Sequence, residues 1–286
     1  MEADYKKLER FSADIRITLL KELLYLGSGH VGGSASIADV LAVLYGAEMN
    51  VDPENPQNPD RDRLVLSKGH CGPALYATLA LKGFFPMEWL KTLNKGGTKL
   101  PSHSDMRKTP GIDMSTGSLG QGISCAEGIA LGLKMQKKDG FVYCIIGDGE
   151  MQEGQVWEAV MSANQLKLDN LVILLDWNKK QLDDRVEKIC DPINPEEKFR
   201  AFGLDAATCK GYDVMDIYEC IERAKKVKGK AHAIVLDTWK GMGIDFAEKV
   251  GYNHFLPVSE ETAKNAIDEI ERRLANGTYP KGDLVW

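Results

Sequence analysis

The stretch 141–181, FVYCIIGDGEMQEGQVWEAVMSANQLKLDNLVILLDWNKKQ, decides the fold. Residues 141–146 form a continuous apolar run, the pattern of a buried strand. The run ends in Gly147-Asp148-Gly149, where glycine lets the backbone approach a ligand and a carboxylate stands at the strand's end. Val156, Val160, Ala163 and Leu166 then share one face of a helix, and a second apolar run, 171–175, leads into Asp176-Trp177-Asn178. Strand, helix, strand implies parallel strands joined by a right-handed crossover, with both carboxyl ends on one edge of the sheet. Ligands of open α/β sheets bind at that edge. Asp148 and Asn178 therefore face each other across a crevice, and the chain past Asn178 adds a carbonyl such as that of Lys180. Two side-chain oxygens and a carbonyl suit magnesium or calcium, leaving positions for water and phosphate oxygens. One carboxylate leaves the ion net positive, so an anionic ligand, a diphosphate by preference, is expected beside it.

The pattern recurs outward from this unit. Residues 4–26 carry Leu8, Phe11, Ile15, Leu19, Leu23 and Leu26 at helical spacing and stop at a glycine-rich turn containing Ser28-Gly29-His30. Ser36 reads as the N-cap of a following helix. Leu64-Val65-Leu66 is a short strand ending in Ser67-Lys68-Gly69-His70, with Pro73 in the first turn of the next helix. Residues 95–113 read as mostly loop and include Leu100-Pro101-Ser102-His103, and 116–122 lead into a helix rich in small residues, expected to pack closely on the sheet. Residues 182–205 read as an irregular acidic region, 212–217 as a strand followed by a helix from about 218 to 228, and 231–238 as a strand. A loop then carries His254, and Ser259 caps a closing helix that stops near Gly277. With no repeat and no composition break, one α/β domain over 1–286 is the economical reading.

The formal charge of −6 argues against general attraction to nucleic acid or anionic membrane. The polar start at Met1 is not a signal peptide, and no apolar run is long enough to span a bilayer. Six cysteines without a C-x-x-C pair point to a reducing, cytoplasmic setting, with Cys144 a small buried hydrophobe. Of the five histidines, four lie in turns or loops that an α/β sheet brings to one edge; His232, within a strand, reads as structural.

Gly-Asp-Gly alone is an ordinary turn. Followed at this spacing by Asn178, and with Glu153-Gly154 after it, the segment resembles the diphosphate and metal motif of thiamine-diphosphate enzymes, and of transketolases in particular. The resemblance runs over nearly the whole chain and implies the thiamine-diphosphate-binding fold, a mostly parallel central sheet with helices on both faces. It implies that Asp148, Asn178 and the Lys180 carbonyl hold a magnesium ion, with calcium as the alternative. His70, Gly117, Ser118, Leu119, Gly149 and Glu150, with Asp148 and Asn178, would hold thiamine diphosphate. His30, His103 and His254 would serve the sugar as catalytic residues, His254 also touching the diphosphate, and Glu153 would face a subunit interface. Imidazole suits sugar hydroxyls because it gives or takes protons near neutral pH. The sequence departs from the family in Gly-His-Val-Gly-Gly at 29–33, in Ser104 after His103 and in Asn253-His254-Phe255, where proline, proline and His-Gly are usual.

Single-chain transketolases are far longer, and their second domain carries the glutamate that activates the cofactor's pyrimidine ring. The resemblance therefore implies the amino-terminal subunit of a split transketolase. Its partner would be a carboxy-terminal, pyrimidine-binding subunit in an α2β2 heterotetramer that transfers a two-carbon ketol unit from a ketose phosphate or similar anionic sugar to an aldose. The rival readings are the matching subunit of a 2-oxoacid dehydrogenase or deoxyxylulose-phosphate synthase, and a noncatalytic α/β assembly subunit.

Overall fold

The strand–helix–strand unit forms as its apolar pattern dictates. In the computed structural model, which describes residues 4–281, β2 (Val142–Gly147) pairs in parallel with β3 (Leu171–Trp177), Gly147 lying beside Asp176. They are flanked by β1 (Arg63–Leu66) on one side and β5 (His232–Asp237) on the other, with β4 (Asp205–Lys210) at the far edge. The order β1-β2-β3-β5-β4 is parallel throughout.

Every residue of β2 is buried because helices cover both faces. Val142, Cys144 and Ile146 pack with α4 (Gln121–Met135) and α5 (Gly154–Gln165). Tyr143 and Ile145 join the larger core, built with α1 (Tyr5–Leu26), α2 (Ala38–Val43), α3 (Gly72–Leu81), α6 (Val214–Lys226) and α7 (Glu260–Asn276). Among the described residues no helix is long and apolar enough to cross a membrane. The chain start at Met1 lies outside the described residues.

Several boundaries differ from the sequence reading for local reasons. The edge strand is Asp205–Lys210, and residues 212–217 instead hold the start of α6. Asp213 is its N-cap, accepting from Met215 N at 3.0 Å and Asp216 N at 3.3 Å, and this side-chain bonding outweighs the β propensity of Val214. Asp213→Ala should cost about 1 kcal/mol of stability in a chemical melt, with no effect on ligand binding. Ser36 is not the N-cap of the following helix, which starts after Ile37; it closes the short helix Val31–Ala35 instead, and its one hydroxyl proton is shared between the Gly33 carbonyl at 3.1 Å and Asp176 at 2.7 Å. In α4 the close approach is made by Gly122 against Ser67, whereas Gly128 faces open space. Residues 182–205 are irregular but include two short helices, Val186–Cys190 and Pro195–Ala201.

Candidate active site

Parallel strands place the loops after β1, β2, β3 and β5 on one edge, where they line a cavity of about 430 Å³. Lys68 and His70 come from the first, Gly147, Asp148 and Gly149 from the second, Asn178 and Lys180 from the third, and Lys240 from the fourth. His30, His103, Gly117, Leu119 and His254 also line it. Two close backbone approaches hold these loops together. A Cβ on Gly32 would lie 2.2 Å from the Asn253 carbonyl, which its own N–H bonds at 3.1 Å, and one on Gly69 would lie 2.8 Å from Gly117 N.

The four loop histidines converge. Ring centroids of His30 lie 5.3 Å from His70, 5.0 Å from His254 and 6.4 Å from His103, and His70 lies 4.9 Å from His254. Burial, and then the neighbouring His103 and Lys240, lower the His30 pKa to about 4. Burial and then Lys240 lower that of His254 to about 3, while burial followed by Lys68 holds His70 well below the usual range. All three are neutral at pH 7, able both to donate and to accept hydrogen bonds. His232 is remote from them, buried in β5 between Asp205 and the Asp169 carbonyl.

Beneath the cavity runs a buried polar relay. Asp176 Oδ2 accepts from Lys68 Nζ at 2.5 Å, Ser36 Oγ at 2.7 Å and Asn178 Nδ2 at 2.6 Å. Lys68 and Asp176 are both almost fully buried. Burial works against the Lys68 charge, but Asp176, Cys71 and Asp148 together more than offset it, and the lysine pKa rises above its ordinary value. The bond to Asp176 fixes the Asn178 amide nitrogen, which leaves Oδ1 on the opposite side of the amide. Lys240 donates to the carbonyls of Lys180 and Gln181, both at 3.1 Å; burial lowers its pKa to about 8.

Residues 9–270 match the family model described as transketolase, thiamine diphosphate binding domain. The chain belongs to the transketolase family. It is 52% identical over 262 residues to the 6-deoxy-6-sulfo-D-fructose transketolase subunit SqwG of a Clostridium species, an alignment covering 91% of this chain and 95% of that one. It is 37% identical over 257 residues to an apulose-4-phosphate transketolase subunit from Phocaeicola vulgatus, covering 89% and 91%. Against human transketolase the identity is also 37%, over 91% of this chain but only 41% of the human one. The solved transketolase of Campylobacter jejuni superposes with a TM-score of 0.88 at 31% identity, covering 94% of this chain and 43% of that one. The chain is thus a transketolase-type transferase carrying the thiamine-diphosphate-binding domain, and it spans less than half the length of the unsplit transketolases it matches.

The transketolase residues here suit a divalent cation. Asp148 is buried; one of its oxygens accepts from Gly149 N at 2.8 Å and the other, Oδ2, has no partner. Burial, then the Asp176 charge, raises its pKa to about 7. Asn178 Oδ1 accepts only a long 3.2 Å bond from Lys180 N, and the Lys180 carbonyl faces the Lys240 ammonium. One carboxylate, one amide oxygen and one carbonyl are hard oxygen donors of the kind magnesium takes.

The other expected residues are distributed as follows. Ser118 is exposed and outside the cavity lining, while Gly117 and Leu119 line it. Glu150 borders the cavity, but its carboxylate is bonded to protein donors. Glu153 is exposed at the cavity mouth, at the N-terminus of α5. Lys68, Lys240 and Asp176 have no role in the sequence reading. The two lysines stand in strand-end turns of the same kind as the histidines, which is the signal that would find them.

Proposed function

We propose that this chain is the diphosphate-binding half of a two-subunit transketolase. With a carboxy-terminal pyrimidine-binding subunit, as an α2β2 heterotetramer using thiamine diphosphate and Mg²⁺, it moves a two-carbon ketol unit from an anionic ketose to an aldose. The observation that carries this reading is the meeting, in one cavity, of four loop imidazoles with the unpartnered carboxylate oxygen of Asp148. A 2-oxoacid enzyme calls for the cation site but not for several imidazoles facing sugar hydroxyls.

When bound, thiamine diphosphate supplies the electron sink for breaking the ketose carbon–carbon bond. Asp148, Asn178 and the Lys180 carbonyl would hold the cation, and Lys240 would add positive charge to the cavity that takes the diphosphate. His70, Gly149, Gly117 and Leu119 would take the cofactor, while Ser118, outside the lining, would not. His30, His103 and His254 bind and orient the sugar hydroxyls and hold or pass their protons at ring nitrogen. Glu153, at the mouth, meets the neighbouring subunit. The donor we assign is 6-deoxy-6-sulfo-D-fructose, because the identity to the Clostridium subunit named for it, 52%, exceeds the 37% shared with the apulose-4-phosphate relative.

The test is a turnover assay on the chain purified with its partner subunit, with thiamine diphosphate, Mg²⁺ and an aldose phosphate acceptor. Separate arms offer 6-deoxy-6-sulfo-D-fructose, xylulose 5-phosphate and a 2-oxoacid. Ketol transfer fastest from the sulfonated ketose is the expected result. Preference for xylulose 5-phosphate would overturn the donor assignment alone, and turnover only of the 2-oxoacid would overturn the reaction class.

A further inference from the structure

One buried carboxylate joins three of the loops around the cavity. Glu150 is only 2% exposed. Its Oε1 accepts from the Ser67 hydroxyl and from Gly120 N at 2.9 Å, and its Oε2 accepts from Gly147 N at 3.0 Å. Ser67 follows β1, Gly120 closes the loop of Gly117, Ser118 and Leu119, and Gly147 opens the turn that carries Asp148. All three donors are neutral, so the charge of Glu150 strengthens every bond it accepts. We infer that Glu150 is a positioning residue: it does not touch the cofactor but staples the Gly117–Leu119 wall of the cradle to the Asp148 turn, setting the gap the diphosphate must enter.

The chemistry separates the possible replacements. Glutamine keeps one acceptor oxygen but turns an amide N–H₂ toward one of the three donors, so at least one staple becomes donor against donor. Alanine removes all three. Ser67→Ala removes a single donor and leaves both loop N–H bonds in place. Asp62 is the matched control. It is also a buried carboxylate accepting two backbone N–H groups, from Asn50 and Phe141, both at 2.7 Å, but it precedes β1 at the opposite end of the sheet. Loss of either carboxylate should lower stability similarly; only loss of Glu150 should loosen the cradle.

The inference rests on the proposed cofactor role of this cavity, and the experiment separates the two. Thiamine diphosphate Kd in saturating Mg²⁺, Tm without cofactor, and kcat at saturating cofactor are measured for the two-subunit complex carrying wild-type chain, Glu150→Gln, Ser67→Ala or Asp62→Asn. Glu150→Gln should raise the cofactor Kd about tenfold and Ser67→Ala about threefold, the scale of one hydrogen bond to a charged acceptor or less. Once cofactor saturates, kcat should return to within about twofold, because the bound diphosphate itself then spans the two walls. Asp62→Asn should match the Tm loss of Glu150→Gln with an unchanged Kd. An unchanged Kd in Glu150→Gln, or equal Kd shifts in it and Asp62→Asn, would overturn the staple. Should Glu150→Gln fail to assemble, an unchanged Kd in Ser67→Ala decides the same way. A wild-type complex that binds no thiamine diphosphate would overturn the functional reading as well.

Discussion

Asp148→Asn should stabilise the metal-free chain while destroying its response to magnesium. The Asp148 pKa is raised from 3.8 to about 7 by burial and by the nearby Asp176 charge. An acid whose folded pKa lies above its unfolded one destabilises the fold when ionised. That penalty is absent below pH 3.8, grows through the interval and is complete above pH 7. At pH 8 the neutral amide therefore removes a buried charge worth about 2–4 kcal/mol, and Tm should rise by roughly 5–10 °C. The gain should shrink as the pH falls toward 4. With Mg²⁺ the order reverses: the wild-type complex gains stability from the ion and the variant does not, its metal affinity falling by roughly 10²-fold or more. Thermal melts at pH 8 and pH 5, with and without Mg²⁺, check both halves. A variant no more stable than wild type in EDTA at pH 8 would mean that Asp148 is already compensated by the protein.

Lys68→Met should be the most damaging substitution near the site although Lys68 touches no expected ligand in the relay. It leaves the Asp176 carboxylate buried with only Ser36 and Asn178 as donors, and Asp176 Oδ1 already lacks a partner. Breaking one side of a buried pair costs about 3–5 kcal/mol, here roughly 10 °C in Tm. A second effect follows through Asn178, whose amide is held by Asp176: a carboxylate that takes up a proton or shifts releases that amide, and metal affinity falls by about 10–100-fold. Lys68→Met with Asp176→Asn should recover at least half of the stability, because the uncompensated charge is gone. Failure of the double variant to recover would place the cost in lost lysine packing instead.

What can be read from the sequence, and what cannot, follows from the range of the interactions. The apolar runs of β2 and β3 and the amphipathic spacing of α1 are local signals, and parallel pairing follows from the crossover between them. His30, His103 and His254 are visible because they stand in turns or loops between core elements, and Asp148, Asn178 and His70 because each follows a strand whose end the sheet topology places at the cavity. Lys68 and Lys240 share that placement, but a lysine in a turn is ordinarily solvated, and only the meeting with Asp176 or with the Lys180 carbonyl gives each a role. Ser36 reads wrongly as an N-cap since the partner of its side chain, Asp176, lies far along the chain. Residues 212–217 read wrongly as a strand because a β-prone composition conceals the cap that Asp213 makes.

A cation joining Asp148 and Asn178 to a diphosphate is the centre of the proposed function. Its most direct test is calorimetric titration of thiamine diphosphate into the two-subunit complex, once in Mg²⁺ and once in EDTA. Binding tighter in Mg²⁺ by about two orders of magnitude is predicted, with the difference abolished in Asp148→Asn. Equal affinity with and without the ion would contradict it.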